Sequence, residues 1–260
     1  MKLLIKLGGT LLDDAAQERE IARQLAQLAP SHQLVVVHGG GKQVTRFLEE
    51  RGIASRFVGG LRVSDEPVID AVTKSIAGTV NKRLVCALTA AGAAAVGLSG
   101  VDGALTTAEQ LHPDLGFVGR PARTDGRLLE VLLKAGYLPV VACIAGDADG
   151  NIYNVNADQM AVSCALGWGA DRLLFLTDVP GVKSENGAVL PHLIEKDIRE
   201  LIQSGTARGG MQAKLESARV ALQNGLAEVA IASGHEPDVC ARLVAGEELG
   251  TRIAMEAVAR

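Results

Sequence analysis

Short apolar runs and amphipathic segments alternate along the chain. Residues 1–7, 34–37 and 172–176 are aliphatic runs in which polar and apolar positions do not strictly alternate. Such runs are typical of strands that are covered on both faces. Between them, segments such as Ala15–Leu28 repeat apolar residues at helical spacing. The pattern predicts an α/β protein with helices on both sides of a mainly parallel sheet.

The remaining elements follow from the same pattern. Further strands are predicted at 94–98, 138–143, 228–232 and 250–255, and further helices at 41–51, 67–91, 128–135, 156–166, 196–204, 211–223 and 238–244. The turn-rich residues 103–127 predict a hairpin with loops, and the Asn-Gly pair at 186–187 predicts another. The weakest boundary follows Gly169, which divides the chain into lobes 1–169 and 170–260 on one continuous sheet.

The helix predicted at 67–91 has an unusual apolar spacing. Its apolar residues recur every four positions, at Val68, Val72, Ile76, Val80, Leu84 and Leu88. At about 100° per residue, such a stripe drifts by about 40° at each step and winds around a regular helix. The helix is therefore either apolar over much of its surface or bent, with Gly78 as the candidate position. It lies in the core or faces a second subunit.

Charge and composition exclude several partners. The 260 residues carry a net charge of −4 and include one Trp, two Tyr and four Phe, which argues against a nucleic-acid binder. No apolar run has the length that spans a bilayer, so no membrane partner is expected. The cysteines show no paired spacing, which predicts buried thiols in a cytoplasmic protein. They are Cys86, Cys143, Cys164 and Cys240.

Two strands end in glycines. IKLGGTLL spans residues 5–12 and VVVHGGGKQV spans residues 35–44, and each turns helical after its glycines. Ligands of open α/β sheets bind at the carboxyl edge of the strands, where such turns expose backbone N–H groups. Helices that begin after Gly41 and Gly210 add unpaired donors and partial positive charge. With Lys6 beside the first turn, these features predict a phosphate site, although glycines also simply permit tight turns.

The common phosphate-binding motifs are absent from the sequence. HGGGK is not a Walker A loop, because no glycine lies five residues before Gly41 and Gln43 replaces the required Ser or Thr. No strand is followed by GxGxxG, which argues against a dinucleotide-dependent dehydrogenase.

Further polar candidates fall near predicted element ends. Arg62 could hold a carboxylate through two parallel hydrogen bonds, or be a surface arginine. Asn154, Asn156 and Asp158 alternate before a helix, so they are ligand contacts, or Asn156 is the helix cap and Asp158 complements the dipole. Lys214 follows two glycines in the first turns of a helix, where a lysine reaches a phosphate or is merely solvated.

Together these segments resemble the amino acid kinase family. The matching stretches follow the family's order over nearly the whole chain: IKLGG, VVVHGGG, GLRVSD, AGTVNKRLV, AVGLSGVDG, GYLPVV, NVNADQMA, LTDVPGV, GGMQAKLESA and LGTRI. The resemblance implies an αβα sandwich around a mainly parallel sheet of about eight strands. LRVSD and NVNAD favour the branch that uses ATP and Mg²⁺ to phosphorylate the side-chain carboxylate of N-acetyl-L-glutamate in arginine biosynthesis.

The resemblance also implies roles for individual residues. Lobe 1–169 would bind the acidic substrate and form a dimer, and lobe 170–260 would bind ATP. The catalytic residues would be Lys6 and Lys214, which flank the transferred phosphoryl group, and Asp158, which orients both. Backbone N–H groups of Gly8, Gly9, Gly40 and Gly41 would bind phosphate; Arg62, Asn154 and Asn156 would bind substrate with Gly40 and Gly41; Asp178, Gly181 and Met211 would bind nucleotide. Mg²⁺ would be held mainly by the ATP phosphates.

The chemistry of this reaction needs no general base. A carboxylate nucleophile is already ionised at neutral pH, so His38 is expected to pack at a strand end. The obstacle is repulsion between two anions, which fixed positive charge relieves.

Departures from the family and rival functions remain open at this stage. Ala213 stands where relatives often carry proline, with little expected effect. Arginine-inhibited relatives carry an extra N-terminal helix, and this chain begins almost directly at LLIKLGG, so a homodimer insensitive to arginine is expected. The alternatives are a kinase for a carrier-bound or acetylated aminoadipate or glutamate in lysine or ornithine biosynthesis, and a non-catalytic amino-acid sensor.

Overall fold

Eight strands form one central sheet in the computed structural model, which describes residues 1–255. The strands of the chain are β1 Lys2–Leu7, β2 Gln33–His38, β3 Phe57–Val58, β4 Leu61–Arg62, β5 Ala95–Ser99, β6 Thr106–Gln110, β7 Val118–Thr124, β8 Leu138–Ala142, β9 Ile144–Gly146, β10 Ile152–Val155, β11 Arg172–Thr177, β12 His192–Ile194, β13 Glu228–Ser233 and β14 Thr251–Ala254. The central order is β12-β14-β13-β11-β1-β2-β8-β5, and every neighbouring pair except β13–β14 is parallel. The predicted sheet of about eight mainly parallel strands is confirmed.

Helices cover both faces of this sheet. They are α1 Ala15–Leu28, α2 Gly41–Glu49, α3 Glu66–Val72, α4 Asn81–Ala90, α5 Arg127–Lys134, α6 Ala157–Trp168, α7 Glu195–Gln203, α8 Gly209–Gln223 and α9 Val239–Ala245. Two apolar clusters lie on opposite faces, so Leu3 and Ile5 of β1 enter one cluster and Leu4 enters the other. Burial of both faces explains why the strands do not alternate apolar with polar residues. The three-layer αβα sandwich is confirmed.

The long helix predicted at 67–91 is interrupted by a π-helical segment. Asp65 caps its start, and Thr73–Val80 between α3 and α4 forms the π-helix, which includes Gly78. In a π-helix the hydrogen bonds run from i to i+5, so each residue turns the chain by less than in an α-helix. Apolar residues spaced four apart therefore rotate less around the axis in this segment than in a regular α-helix. All six apolar positions are buried: Val68, Val72, Ile76, Val80, Leu84 and Leu88.

A second, smaller β unit packs beside the sheet. The predicted hairpin at 103–127 is the antiparallel pair β6–β7, which closes with β9 and β10 into a four-stranded barrel. The sequence pattern did not predict β9, β10, β12 or the β3–β4 hairpin. These strands have two to four residues each, too few to establish a periodicity. The turn at Asn186–Gly187 is confirmed, because Ser184 N donates to Ala188 O.

Three further predictions concern the chain as a whole. Cys143, Cys164 and Cys240 are buried thiols, but Cys86 is exposed on α4, so the prediction of burial is wrong for that residue. Across the boundary at Gly169, β1 pairs with β11 in the central sheet. The roles of the two lobes stay predictions, and residues 256–260 of the second lobe lie outside the described residues. Within residues 1–255 no helix combines the length and apolar character needed to cross a membrane.

Candidate functional site

Two lysines meet one carboxylate at the centre of the molecule. Lys6 Nζ lies 2.8 Å from Asp158 Oδ1, and Lys214 Nζ donates a hydrogen bond of 2.9 Å to Asp158 Oδ2. The Lys6 contact is an ion pair without the alignment of a hydrogen bond, because Asp158 Oδ1 has no hydrogen-bond donor. Asp158 and Lys214 lie 152 and 208 positions after Lys6 in the chain. Strand β1 and helices α6 and α8 bring the three side chains together.

Local structure explains why these three side chains converge. Lys6 is the penultimate residue of β1, near the carboxyl edge of the sheet. Asp158 lies in the first turn of α6, where a carboxylate also complements the helix dipole. Lys214 lies in the second turn of α8, a helix that packs against α6. The side chains of all three are largely buried, with exposed fractions of 6%, 7% and 14% for Lys6, Asp158 and Lys214.

The cluster carries excess positive charge in a largely buried site. Burial lowers the pKa of Lys6, and the neighbouring Lys214 lowers it further, while Asp158 acts in the opposite direction. Burial alone would raise the pKa of Asp158, but the two ammonium groups together outweigh it and hold that pKa below its usual range. Counted with formal charges, two lysines and one aspartate give the cluster a net charge of +1, which attracts anions.

A pocket of about 250 Å³ opens directly beside Lys6. Besides Lys6, its polar wall contains residues that the sequence assigned to phosphate or substrate: Gly40, Gly41, Arg62, Asn154 and Asn156. Its apolar wall is formed by side chains of the π-helical region and the β barrel, including Val72, Ile76, Val118 and Val155. The structure therefore brings the predicted substrate residues into one cavity that adjoins the lysine–aspartate cluster.

Arg62 is held in place by groups that leave its charge uncompensated. Its Nη2 donates to Gly41 O at 3.0 Å and to Thr45 Oγ1 at 2.7 Å, and its Nη1 donates to Ser55 Oγ. Arg62 is 7% exposed, and it has no carboxylate partner among the ion pairs of residues 1–255. Burial lowers its pKa from 12.5, and an arginine remains protonated under these conditions. A buried guanidinium without a counter-ion is suited to bind a carboxylate of a ligand.

The asparagines of the NVNAD stretch have different tasks. Asn156 caps α6, since its Oδ1 accepts from Asp158 N at 2.9 Å and from Gln159 N at 3.2 Å. Asn154 lies in β10 and its Nδ2 is 3.3 Å from Ser64 Oγ. Both line the pocket. Asn156 is therefore the helix cap that the sequence left open as one interpretation, and its contact with a ligand stays a prediction.

The glycine turns differ in the space and in the free backbone N–H groups that they leave for a ligand. Gly40 packs closely against the π-helical segment, since a Cβ there would lie 3.2 Å from Ile76 Cγ1, whereas a Cβ at Gly41 would meet open space. Gly9 begins the 3₁₀ turn Gly9–Leu12. The prediction that the Gly8 N–H binds phosphate is wrong, because this group donates to Leu176 O at 2.8 Å and is not a free donor. The hydrogen-bond ladder between β1 and β11 continues to Gly8, and its N–H is part of that ladder.

The predicted nucleotide residues lie outside the pocket beside Lys6. Asp178 is exposed after β11 and accepts from Thr177 Oγ1 at 3.0 Å. Gly181 packs so tightly that a Cβ would lie 2.8 Å from Thr251 Oγ1. Met211 lies in the first turn of α8, three residues before Lys214 and thus on the same helix face. None of the three lines the pocket beside Lys6.

The sequence did not identify two residues of this region. Ser64 is fully buried, donates to Arg62 O at 2.9 Å and accepts from Asn154, which links β4 to the barrel. Its position two residues after Arg62, in LRVSD, was the available signal. Cys143 lines the pocket, and burial raises the pKa of its thiol to about 11. Within residues 1–255, no group of three or more His, Cys, Asp or Glu side chains is arranged to hold a metal ion.

The chain is similar in sequence to known proteins over most of its length. The model of the amino acid kinase family matches residues 1–233. The chain is 56% identical to the acetylglutamate kinase of Solibacter usitatus over 254 residues, which cover 97% of this chain and 99% of the relative. It is 44% identical to that of Acidobacterium capsulatum over 257 residues, with 96% and 99% covered.

A solved structure is also similar to this chain. It is the N-acetylglutamate synthase from Neisseria gonorrhoeae complexed with coenzyme A and N-acetyl-glutamate, with a TM-score of 0.87 and 26% identity. The match covers 98% of this chain, and this chain spans 60% of the synthase chain.

Proposed function

Because the chain belongs to the amino acid kinase family, we propose that it phosphorylates the side-chain carboxylate of N-acetyl-L-glutamate with ATP, as a step of arginine biosynthesis. The carboxylate oxygen forms a bond to the terminal phosphorus of ATP, the bond between that phosphorus and the bridging oxygen breaks, and ADP leaves. The observation that carries this proposal is the buried Lys6–Asp158–Lys214 cluster beside a pocket that contains the uncompensated Arg62.

Charge accounts for the catalytic role of the two lysines. A carboxylate nucleophile needs no deprotonation at neutral pH, so the site needs no general base. Lys6 and Lys214 offset the repulsion between the carboxylate and the phosphates, and they stabilise the charge that spreads over the phosphoryl oxygens. Asp158 holds both ammonium groups in place through its two oxygens. Because these positions are fixed before the substrates bind, little reorganisation is needed during the reaction.

The pocket beside Lys6 supplies the substrate specificity in this proposal. Arg62 pairs with a carboxylate of N-acetylglutamate, and Asn154 and Asn156 offer amide groups to its polar atoms. The apolar wall contacts the methylene groups. The N–H groups of Gly40 and Gly41 face an anion at the start of α2, where a helix leaves its first donors unpaired.

ATP approaches from the opposite side of the cluster, along Asp178, Gly181 and Met211. Mg²⁺ supplies charge neutralisation on the phosphates when it is bound. Asp158 is not arranged as its ligand, because a lysine ammonium faces each of its oxygens. Mg²⁺ would therefore be held mainly by the phosphates of ATP. An ATP-dependent biosynthetic step of this kind belongs in the cytoplasm.

A homodimer is part of the proposal. Strand β5 forms one edge of the central sheet, and its residues Ala95, Val96 and Leu98 are only half-buried. Val85 and the exposed Cys86 of α4 lie on the adjacent surface. An edge strand with apolar side chains is unfavourable in water and is commonly covered. Sedimentation analysis of the wild type and of Val85→Glu tests this surface, and a wild-type monomer would exclude the dimer.

A second candidate function is a non-catalytic amino-acid-binding domain. The synthase structure that this chain resembles is complexed with N-acetyl-glutamate, so binding of that molecule does not by itself distinguish the two candidates. The two candidates differ in turnover: a binding domain retains affinity for N-acetylglutamate but forms no ADP. The buried cluster favours the kinase, because two paired lysines beside the pocket are unnecessary for binding a single carboxylate.

The direct experiment is an ATP-dependent hydroxamate assay, in which hydroxylamine traps an acyl phosphate. N-acetylglutamate is compared with glutamate, aspartate and acetylated aminoadipate under the same conditions. We expect the highest kcat/KM with N-acetylglutamate. A higher value with an aminoadipate derivative would assign the chain to the lysine-type alternative, and binding without hydroxamate or ADP formation would exclude the kinase.

A further inference from the structure

His38 and Asn81 form a buried network directly behind the glycine turn of the pocket. His38 is the last residue of β2 and is fully buried. Its Nδ1 lies 2.8 Å from Gly39 O, and its Nε2 lies 3.0 Å from Asn81 Nδ2. Asn81 begins α4, immediately after the π-helical segment, and is 1% exposed. The charge cluster of the proposed mechanism does not include either residue.

The network fixes which nitrogen of His38 carries the hydrogen. Asn81 Nδ2 also donates to Val140 O at 2.9 Å, and Leu98 O is a more distant acceptor at 3.4 Å. Lys82 Nζ donates to Asn81 Oδ1 at 3.1 Å. The reversed amide would place two acceptor oxygens 2.9 Å apart, so the amide orientation is determined. Since an amide nitrogen only donates, His38 Nε2 must accept. In the neutral ring, Nδ1 then carries the hydrogen and donates to Gly39 O.

A fixed orientation of the Gly39 carbonyl oxygen also fixes the orientation of the Gly40 N–H group. In a planar trans peptide the carbonyl oxygen and the amide hydrogen point in opposite directions. A Gly39 oxygen held toward His38 therefore turns the Gly40 N–H away from His38. Side chains limit the remaining freedom, because a Cβ on Gly39 would lie 3.3 Å from Ala157 Cβ, and Gly40 is packed against Ile76.

We propose that His38 and Asn81 are positioning residues that orient the Gly39–Gly40 peptide, so that the Gly40 N–H points into the pocket as an anion donor. The inference rests on the proposed kinase function for its kinetic consequence, but its structural part does not. Asn81 selects the tautomer of His38, and His38 holds the peptide. Without this hydrogen bond, the Gly39–Gly40 peptide has no side-chain partner in this network and can rotate.

A matched pair of substitutions tests the role of Nδ1. In His38→Asn the side-chain amide reaches the position of Nδ1 and can still donate to Gly39 O. In His38→Gln the amide reaches the position of Nε2 and cannot. We expect His38→Gln to lower kcat by about 10- to 100-fold, as for a displaced backbone donor, with KM for ATP little changed. His38→Asn should recover most of this loss. Thermal unfolding of both variants, measured in parallel, reports the folded fraction.

Kinetic and spectroscopic outcomes separate this inference from the kinase proposal. If His38→Asn loses as much kcat as His38→Gln at equal folded fraction, the positioning role is wrong. Nitrogen-15 NMR of the histidine rings needs no turnover: we expect the Nδ1–H tautomer for His38 in the wild type and a mixture of tautomers in Asn81→Leu. An Nε2–H tautomer in the wild type would overturn the inference even if the enzyme is active, and the expected tautomer would support it even if N-acetylglutamate is not the substrate.

Discussion

Burial of His38 gives the protein a pH dependence of stability that can be calculated. Burial is the largest effect on this ring, and it lowers the pKa of His38 from 6.5 to about 4. In the unfolded chain the imidazole returns to its ordinary pKa. Between these two values the unfolded state binds more protons than the native state, so the free energy of unfolding falls as the pH falls from 6.5 toward 4.

The size of the effect follows from the pKa difference. At about 1.4 kcal/mol per pKa unit, the whole window of roughly two and a half units corresponds to about 3 kcal/mol. Between pH 7 and pH 5 the linkage relation gives a loss of about 2 kcal/mol from His38 alone. This is a large part of the stability of an ordinary domain, about 5–15 kcal/mol.

Urea unfolding at pH 7 and pH 5 measures this loss, and His38→Asn is the control because it removes the titrating ring but keeps a donor to Gly39 O. The other titrating groups are the same in both proteins, so their contributions largely cancel in this comparison. The carboxyls of Glu20, Asp125 and Asp147 have pKa values lowered to about 2, so they affect stability mainly below about pH 5. His32, whose pKa burial also lowers, is present in both proteins.

The expected result is that the wild type loses about 2 kcal/mol more than His38→Asn between pH 7 and pH 5. Equal losses in the two proteins would show that His38 does not titrate as a buried neutral ring, and they would refute this reasoning.

Three further predictions concern the site itself. The alkaline limb of kcat/KM should lie below pH 10.5, because burial lowers the pKa of Lys6, and Lys6→Arg should move that limb upward; an unmoved limb contradicts a role for the Lys6 charge. Asp158→Asn should lower kcat by about 10²- to 10³-fold in steady-state assays, since the lysines lose their common partner; a change below about threefold excludes this. Arg62→Lys should raise KM for N-acetylglutamate about tenfold or more and leave KM for ATP unchanged, whereas Arg120→Lys, in an exposed ion pair with Glu109, should change neither.

Much of the fold was predictable because its elements are set by local patterns. The apolar runs of the central strands, the helical spacing of Ala15–Leu28 and the Asn-Gly turn each correspond to the observed element. Short strands such as Ile144–Gly146 and the hairpin at Phe57–Arg62 were missed. They contain too few residues for a period, and pairing with distant segments alone makes them strands.

The candidate site was likewise predictable in part. The types of residue and the order of the motifs indicated Lys6, Asp158 and Lys214, and the structure joins them through one carboxylate. The sequence did not show that the Gly8 N–H is already bonded to Leu176 O, because that bond depends on the register between β1 and β11. Nor did it indicate that Cys143 lines the pocket.

By itself the sequence determined which residues carry charge, which stretches are apolar with a given period, and where glycine frees the backbone. Those are properties of single residues and of near neighbours along the chain. Only the tertiary structure decided which backbone donors remain free, which tautomer His38 adopts, and that Asp158 faces two lysines at once. Hydrogen bonding and burial depend on atoms contributed by segments far apart in the chain, so no local pattern contains them.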